Sequence, residues 1–379
     1  MKTFAELHDE AKGRPSGFDY LRIGLAVSVV LFHLVGINYG EQAQLMAFEG
    51  KFGPLAKMVV PMFFGLSGFL IAGSLLRSRT ILGFLFLRGI RIFPALAVEI
   101  CVSAVFLGLI FTTCQTGAYL RADEFHSYFL NILGDIHYRL PGVFAGNPLP
   151  YRVNGQLWTI PYELRCYIAA AVLAIFGIHR QRRWFLLITV LAQMIMAERI
   201  LAHGPVMEDV PGNVVVVCFL CGILFYLYRD RIMHSVFLAV GSAVLCAVLL
   251  CWRDGSYLMA APAVYLTCYL GLLNPGRIRV IQSGDYSYGI YLYGFPVQQA
   301  VAALGGWTHQ WALSFVLSFP VIVLVAYFSW HVVESRALRA RKWQSKVDAL
   351  WIGLVSRLPL PNRLSKLGIG STGVAETSG

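Results

Sequence analysis

From residue 20 to residue 333 the chain is a succession of apolar runs, most of them close to twenty residues long. That length matches the hydrocarbon core of a bilayer, where only segments that satisfy their own backbone hydrogen bonds persist. The pattern predicts an all-α polytopic membrane protein. About ten spans can be read, at 20–37, 54–76, 90–112, 157–178, 184–201, 214–228, 232–251, 257–273, 286–304 and 311–333. They imply one membrane domain (20–335) between a short polar segment (1–19) and a basic tail (336–379).

Composition agrees. The 379 residues are 57% hydrophobic and only 13% charged, about half the charge of a soluble domain. The net charge of +11 would suit nucleic acid if it were clustered on one surface, but it is not. It falls in short connections between spans: Arg77, Arg79, Arg88 and Arg91; Arg180, Arg182 and Arg183; Arg229 and Arg231; Arg277 and Arg279; then Arg336, Arg339, Arg341, Lys342 and Lys346. These connections follow even-numbered spans, whereas HGPVMEDVPGN and GGWTHQ, after odd-numbered ones, are acidic or poor in bases. The positive-inside rule then places both termini in the cytoplasm and excludes a nucleic-acid partner. Residues 1–17 are polar, so no cleavable signal peptide is expected. The tail beyond Asp348, with PLPNR and STGVAETSG, reads as surface-bound or disordered. The eight cysteines are scattered; Cys218 and Cys221 form a CxxC inside VVVVCFLCGILF without companion ligands, which reads as packing rather than a metal site.

Against this apolar background the polar residues inside spans are few, costly and informative. Arg22 and His33 share the first span. Eleven residues of helix is about three turns, so both point to roughly one face, about 16 Å apart. Arginine at the edge can simply snorkel to lipid headgroups; with a histidine deeper on the same stripe, it suits a long ligand with an anionic head. In PMFFGLSGFLI, Gly65 and Gly68 flank Ser67, a pattern for close approach of a helix or ligand. RGIRIFP sets Arg88 and Arg91 three apart on one face, where guanidinium forks fit phosphates and where topology also demands bases.

NGQLWTIPYELRCY places Glu163 about two turns into the fourth span, in need of a partner: His33, Arg165 or an arginine of another span. Paired with His33, it would orient a general base. Glu99 is a second buried acid, without an assigned partner. GDYSYGIYLYGFPVQQ opens the ninth span with the hydroxyls of Ser287, Tyr288 and Tyr291. His331 and Glu334 close the last span, where a structural role at a helix end is the simpler reading. SRTILGFLFLRGIR (78–91) has the mixture of an amphipathic interfacial helix. The longest connection, 115–156, carries polar residues suited to an extracytoplasmic substrate.

Taken in order, LRIGLAVSVVLFH, FFGLSGFLI, FLRGIRIFP, LWTIPYEL, SYGIYLY and SWHVVE resemble the membrane-bound acyltransferase family 3 over nearly the whole chain. The resemblance implies a bacterial inner-membrane enzyme that O-acylates a saccharide or lipid-linked glycan, such as O-antigen or exopolysaccharide. Acyl-CoA, usually acetyl-CoA, would be the donor, with no metal. The family's arginine–ten residues–histidine motif falls on Arg22 and His33, its FFxLSGFxI motif on Phe63, Phe64, Ser67, Gly68 and Phe69, and its RxxRIxP motif on Arg88, Arg91 and Pro94. The chain departs from the family at Trp158-Thr159, where members often have Trp-Ser, and at Tyr293-Gly294, near which many have a histidine. The expectation is transfer with His33 deprotonating the acceptor hydroxyl or helping to form an acyl intermediate, Glu163 as its orienting acid, and Arg22, Arg88, Arg91, Ser67, Ser287, Tyr288 and Tyr291 around the donor. A carrier or flippase for a glycolipid or small solute is the alternative; it would also need many spans and buried charge.

Overall fold

A computed structural model describes residues 1–203, 212–252 and 255–355, without side-chain detail at 199–203 and 355. The HGPVMEDVPGN connection, for the most part, and the PLPNR and STGVAETSG tail lie outside the described residues. Among the described residues every regular element is helical, and the only strand-like pairings are two isolated bridges.

The helices that matter here are α1 (Phe4–Glu10), α2 (Gly17–Tyr39), α3 (Glu41–Glu49), α4 (Gly53–Arg77), α5 (Ile81–Phe111), α6 (Ile160–Ile175), α7 (Arg182–His203), α8 (Gly212–Leu227), α9 (Val236–Cys251), α10 (Ala260–Leu272), α11 (Ser287–Ala302) and α12 (Trp311–Leu354). Each apolar run read from the sequence falls on one of them. Among the described residues four are long and apolar enough to cross a membrane: α2, α4, α5 and α12. The others are shorter or less apolar, α6 and α11 having 16 residues each. This is the architecture of a polytopic membrane protein.

Helix α4 is the buried axis. Apolar side chains gain little by leaving lipid for protein, so helices in a membrane associate through close packing of small residues. Gly68 lies directly against the Phe219 carbonyl of α8, and Gly222 of α8 against the Gly65 carbonyl. Cys218 and Cys221 are buried in the same helix, unpaired, as packing residues.

One expectation changes. Residues 78–91 do not form a separate interfacial helix. Thr80 caps α5 by accepting from the Gly83 amide at 2.9 Å, and the helix runs unbroken through the two arginines and a π-helical stretch, Val102–Leu107. Towards the C-terminus α12 continues past a second π stretch, Ser329–Glu334, and Asp348 accepts from the Thr80 hydroxyl.

The basic connections gather at one end of the bundle. Phe4 and Ala5 amides donate to Ile232 and Arg229 carbonyls, both at 2.9 Å. The Gly17 amide meets the Leu273 carbonyl at 2.9 Å, and Arg182 pairs with Asp230 at 2.8 Å. At the other end Tyr39 accepts from the Trp311 amide at 2.9 Å and Arg152 reaches Glu41 at 3.4 Å.

Candidate functional site

Helices α2 and α11 run side by side in the same direction. Arg22, near the start of α2, pairs with Asp285, just before α11. Further on, the Gln298 amide donates to the Val30 carbonyl at 2.7 Å and the His33 ring stands edge-on to Phe295, centroids 5.1 Å apart. The ten residues from Asp285 to Phe295 are about 15 Å of helix, matching the 16 Å between Arg22 and His33. The shared register, which neither segment reveals alone, stacks polar groups along one seam.

At the basic end Asp285 is the centre. Its Oδ2 accepts from Arg22 and, at 2.6 Å, from Arg91; its Oδ1 accepts from the Ser287 hydroxyl at 2.5 Å. Arg91 also reaches Glu334 at 3.4 Å and lies over the rings of Tyr288 and Trp330, 5.8 and 5.9 Å from their centroids. Burial opposes charge on Asp285, but Arg22 and then Arg91, with Ser287, hold its carboxyl well below the usual carboxylate range. Glu334 is thus a partner of Arg91. A cavity of about 390 Å³ opens beside this cluster, lined by Arg14, Asp19, Arg277, Gln282, Asp285 and Trp330.

One level further along lies a second group. Tyr167 donates to Glu163, and the Ser67 hydroxyl faces Tyr167. Arg88 and Arg91 are within electrostatic reach of Glu163, and the Arg88 Nε is buried with no hydrogen-bond partner. Glu163 therefore finds Tyr167, one turn along its own helix, and the arginines of α5, rather than His33. Arg88 correspondingly stands with Glu163 and not at Asp285, so the three arginines do not converge on one acid. Tyr288 donates to the Ile92 carbonyl at 3.1 Å, tying α11 to α5.

The long connection supplies the rest. It is not a free loop. Asn147 donates to Gln299 Oε1 at 2.7 Å, and Gln299 donates to the Leu149 and Arg152 carbonyls at 2.9 and 2.7 Å. Gly155 presses on the Phe295 ring, Gln156 donates to the Leu292 carbonyl at 2.6 Å, and Thr159 meets the Tyr291 hydroxyl at 2.6 Å. The chain thus descends along α11 from Gln299 to Tyr291, about 12 Å, before α6 begins. That re-entrant course is why α6 is only 16 residues long. His33 lies beside this segment, with Arg152 as its charged neighbour.

Asp285 and Tyr167 were not singled out from the sequence. Asp285 had a signal, an acid at a helix start after a basic stretch, and Tyr167 lies four residues from Glu163, one helical turn away.

The sequence pattern of the family described as an acyltransferase domain, Acyl_transf_3, matches residues 16–331. An O-acetyl transferase of Shigella phage Sf6 is 27% identical over 336 residues, covering 85% of this chain and 95% of the relative. Nodulation protein 10 of Rhizobium leguminosarum bv. viciae is 27% identical over 369 residues, covering 88% and 96%. No solved structure matches the chain.

Proposed function

The chain belongs to the acyltransferase family 3 and is an acyltransferase, and from that premise we propose that it carries an acetyl group from cytoplasmic acetyl-CoA to a hydroxyl of an extracytoplasmic saccharide. The reading includes about ten crossings of a bacterial inner membrane with both termini in the cytoplasm. The gathering of the basic connections at one end of the bundle supports this topology, since such loops are retained inside.

The observation that carries the reading is the seam between α2 and α11. Guanidinium groups and a cavity lie at its basic end, and a histidine about 16 Å further along, a span of the order of a pantetheine arm. The donor's head enters the cavity beside Trp330, and its phosphates exchange with Asp285 for Arg22 and Arg91. Ser287, Tyr288, Tyr291 and Ser67 line the way inward. His33 takes the proton of the acceptor hydroxyl as its oxygen attacks the thioester carbonyl. The carbon–sulfur bond breaks, and the departing thiolate receives the proton that His33 holds. General-base help of this kind contributes about 10²–10⁴-fold. Glu163, bonded to Tyr167 and close to Arg88, acts on the donor channel rather than as the orienter of His33.

The test is His33→Ala in membranes given radiolabelled acetyl-CoA and a polysaccharide acceptor. Loss of covalent label on the glycan at normal protein level is expected; undiminished labelling would overturn the role. Covalent label on the product also separates transfer from the rival carrier, which would leave the solute unmodified.

A further inference from the structure

The proposed reaction leaves one buried polar cluster unused. Glu99 is fully buried on α5. Its Oε1 accepts from Ser103 at 2.5 Å, and its Oε2 has no partner. Beside it the Tyr128 hydroxyl, also fully buried, is directed at Ser103 and Asn154 without closing a hydrogen bond to either. Asn154 is fully buried and leaves both its amide oxygen and its amide nitrogen unpaired. Gln156, two residues on, spends its nitrogen on the Leu292 carbonyl and leaves its oxygen unpaired. Tyr293 of α11 lies within electrostatic reach of Glu99.

Five buried polar atoms without a hydrogen-bond partner on these four residues is a large imbalance. Each buried donor or acceptor left without a partner costs about 1–3 kcal/mol, so native proteins almost always satisfy them. The set is also chemically mixed: a carboxyl oxygen, a phenol hydroxyl, an amide N–H and two amide oxygens. Hydroxyl groups, each one donor and two acceptors, complement such a set, and adjacent hydroxyls complement it best. None of these groups is a cation, so a phosphate or a carboxylate would gain no charge pairing from them and would face the amide oxygens. The cluster also borders His33. Asn154 and Gln156 bracket Gly155, which lies on the Phe295 ring that the His33 imidazole touches. Along α5, Glu99 stands eight residues beyond Arg91, about 12 Å, close to the depth of His33.

We propose that Glu99, Tyr128, Asn154 and Gln156 form the acceptor subsite, holding hydroxyls neighbouring the one that is acylated. The ligand class is a polyhydroxylated, uncharged ring or chain of the carbohydrate type. The assignment rests on the acyl-transfer reading above. It gives the re-entrant segment a task, since three of the four residues belong to the connection between α5 and α6.

The test uses membranes containing the full chain, radiolabelled acetyl-CoA and cell-envelope polysaccharide extracted from a strain lacking the gene. Asn154→Ala and Tyr128→Phe, the latter removing one oxygen and keeping the ring, should each raise the acceptor KM about five- to ten-fold. The KM for acetyl-CoA should stay within two-fold of wild type. A bridging buried water, the merely structural role, would leave the acceptor KM unmoved while lowering thermal stability. Unchanged acceptor KM in well-expressed Tyr128→Phe overturns the subsite alone. Failure of the wild type to label any polysaccharide, with acetyl-CoA still bound, overturns the transfer reading and the subsite with it.

Discussion

Asp285→Asn probes the basic end of the seam most directly. The substitution preserves shape but removes the negative charge shared by Arg22 and Arg91. At about 4 Å between charge centres, one such pair is worth about 4 kcal/mol at an effective dielectric of 20 before desolvation is counted. Removing one member of a buried pair typically costs about 3–5 kcal/mol, because the other charge stays buried and unpaired. Here the three side chains keep 23–26% of their exposure, so solvent screens part of the loss. A destabilisation of about 2–3 kcal/mol is expected. The informative part is its reversal by ligand. If donor phosphates take the place of the Asp285 carboxylate, coenzyme A meets two guanidinium groups with nothing to displace and binds the variant about tenfold tighter, about 1.4 kcal/mol. Ligand stabilises a fold in proportion to the logarithm of its concentration over Kd. Thermal unfolding in lipid nanodiscs should therefore show a lower Tm without ligand and a larger upward shift with coenzyme A than in wild type. A variant as stable as wild type, or one whose coenzyme A shift is no larger, refutes the argument.

Other changes address other links in the structure. Gly68→Ala puts a methyl group into the Phe219 carbonyl of α8 and should cost about 1–3 kcal/mol in unfolding measurements. Thr80→Ala removes both the cap of α5 and the contact to Asp348; it should cost about 1–2 kcal/mol and expose the C-terminal part of α12 to limited proteolysis. His179, between α6 and α7, has its pKa lowered from 6.5 to about 4, by burial and then by Arg180. The unfolded chain takes up a proton there first, so its contribution to stability is full above pH 6.5 and declines as pH falls towards 4. His179→Asn should flatten the pH dependence of Tm in that window.

Much of the fold was legible because hydropathy is a local property: each apolar run became a helix. The polar residues worth attention were legible too, since Arg22, His33, Arg88, Arg91 and Glu163 are conspicuous where charge is expensive. Their partners were not. Arg91 and Asp285 are 194 residues apart, and only the mutual register of α5, α2 and α11 brings them together. The pairing of Glu163 with His33 looked reasonable because each needed a partner, yet Tyr167 was one turn away on the same helix. The re-entrant course of 147–159 was hidden for the opposite reason: its polar composition suits water as well as it suits the flank of α11.

That re-entrant segment has an energetic consequence for the proposed reaction. A bilayer's hydrocarbon core is about 30 Å thick, and carrying the polyanionic head of a coenzyme across it would need a pump or an ion gradient. In the proposed topology, the segment's descent of about 12 Å along α11 carries the acceptor site that far from the outer end of the bundle, with Asn154 and Gln156 buried there. Only a neutral thioester then has to cover the remaining depth, while its charged head stays on the side from which it came. The thioester's own hydrolysis potential can drive modification of a glycan on the far side, with no other energy source coupled to the step.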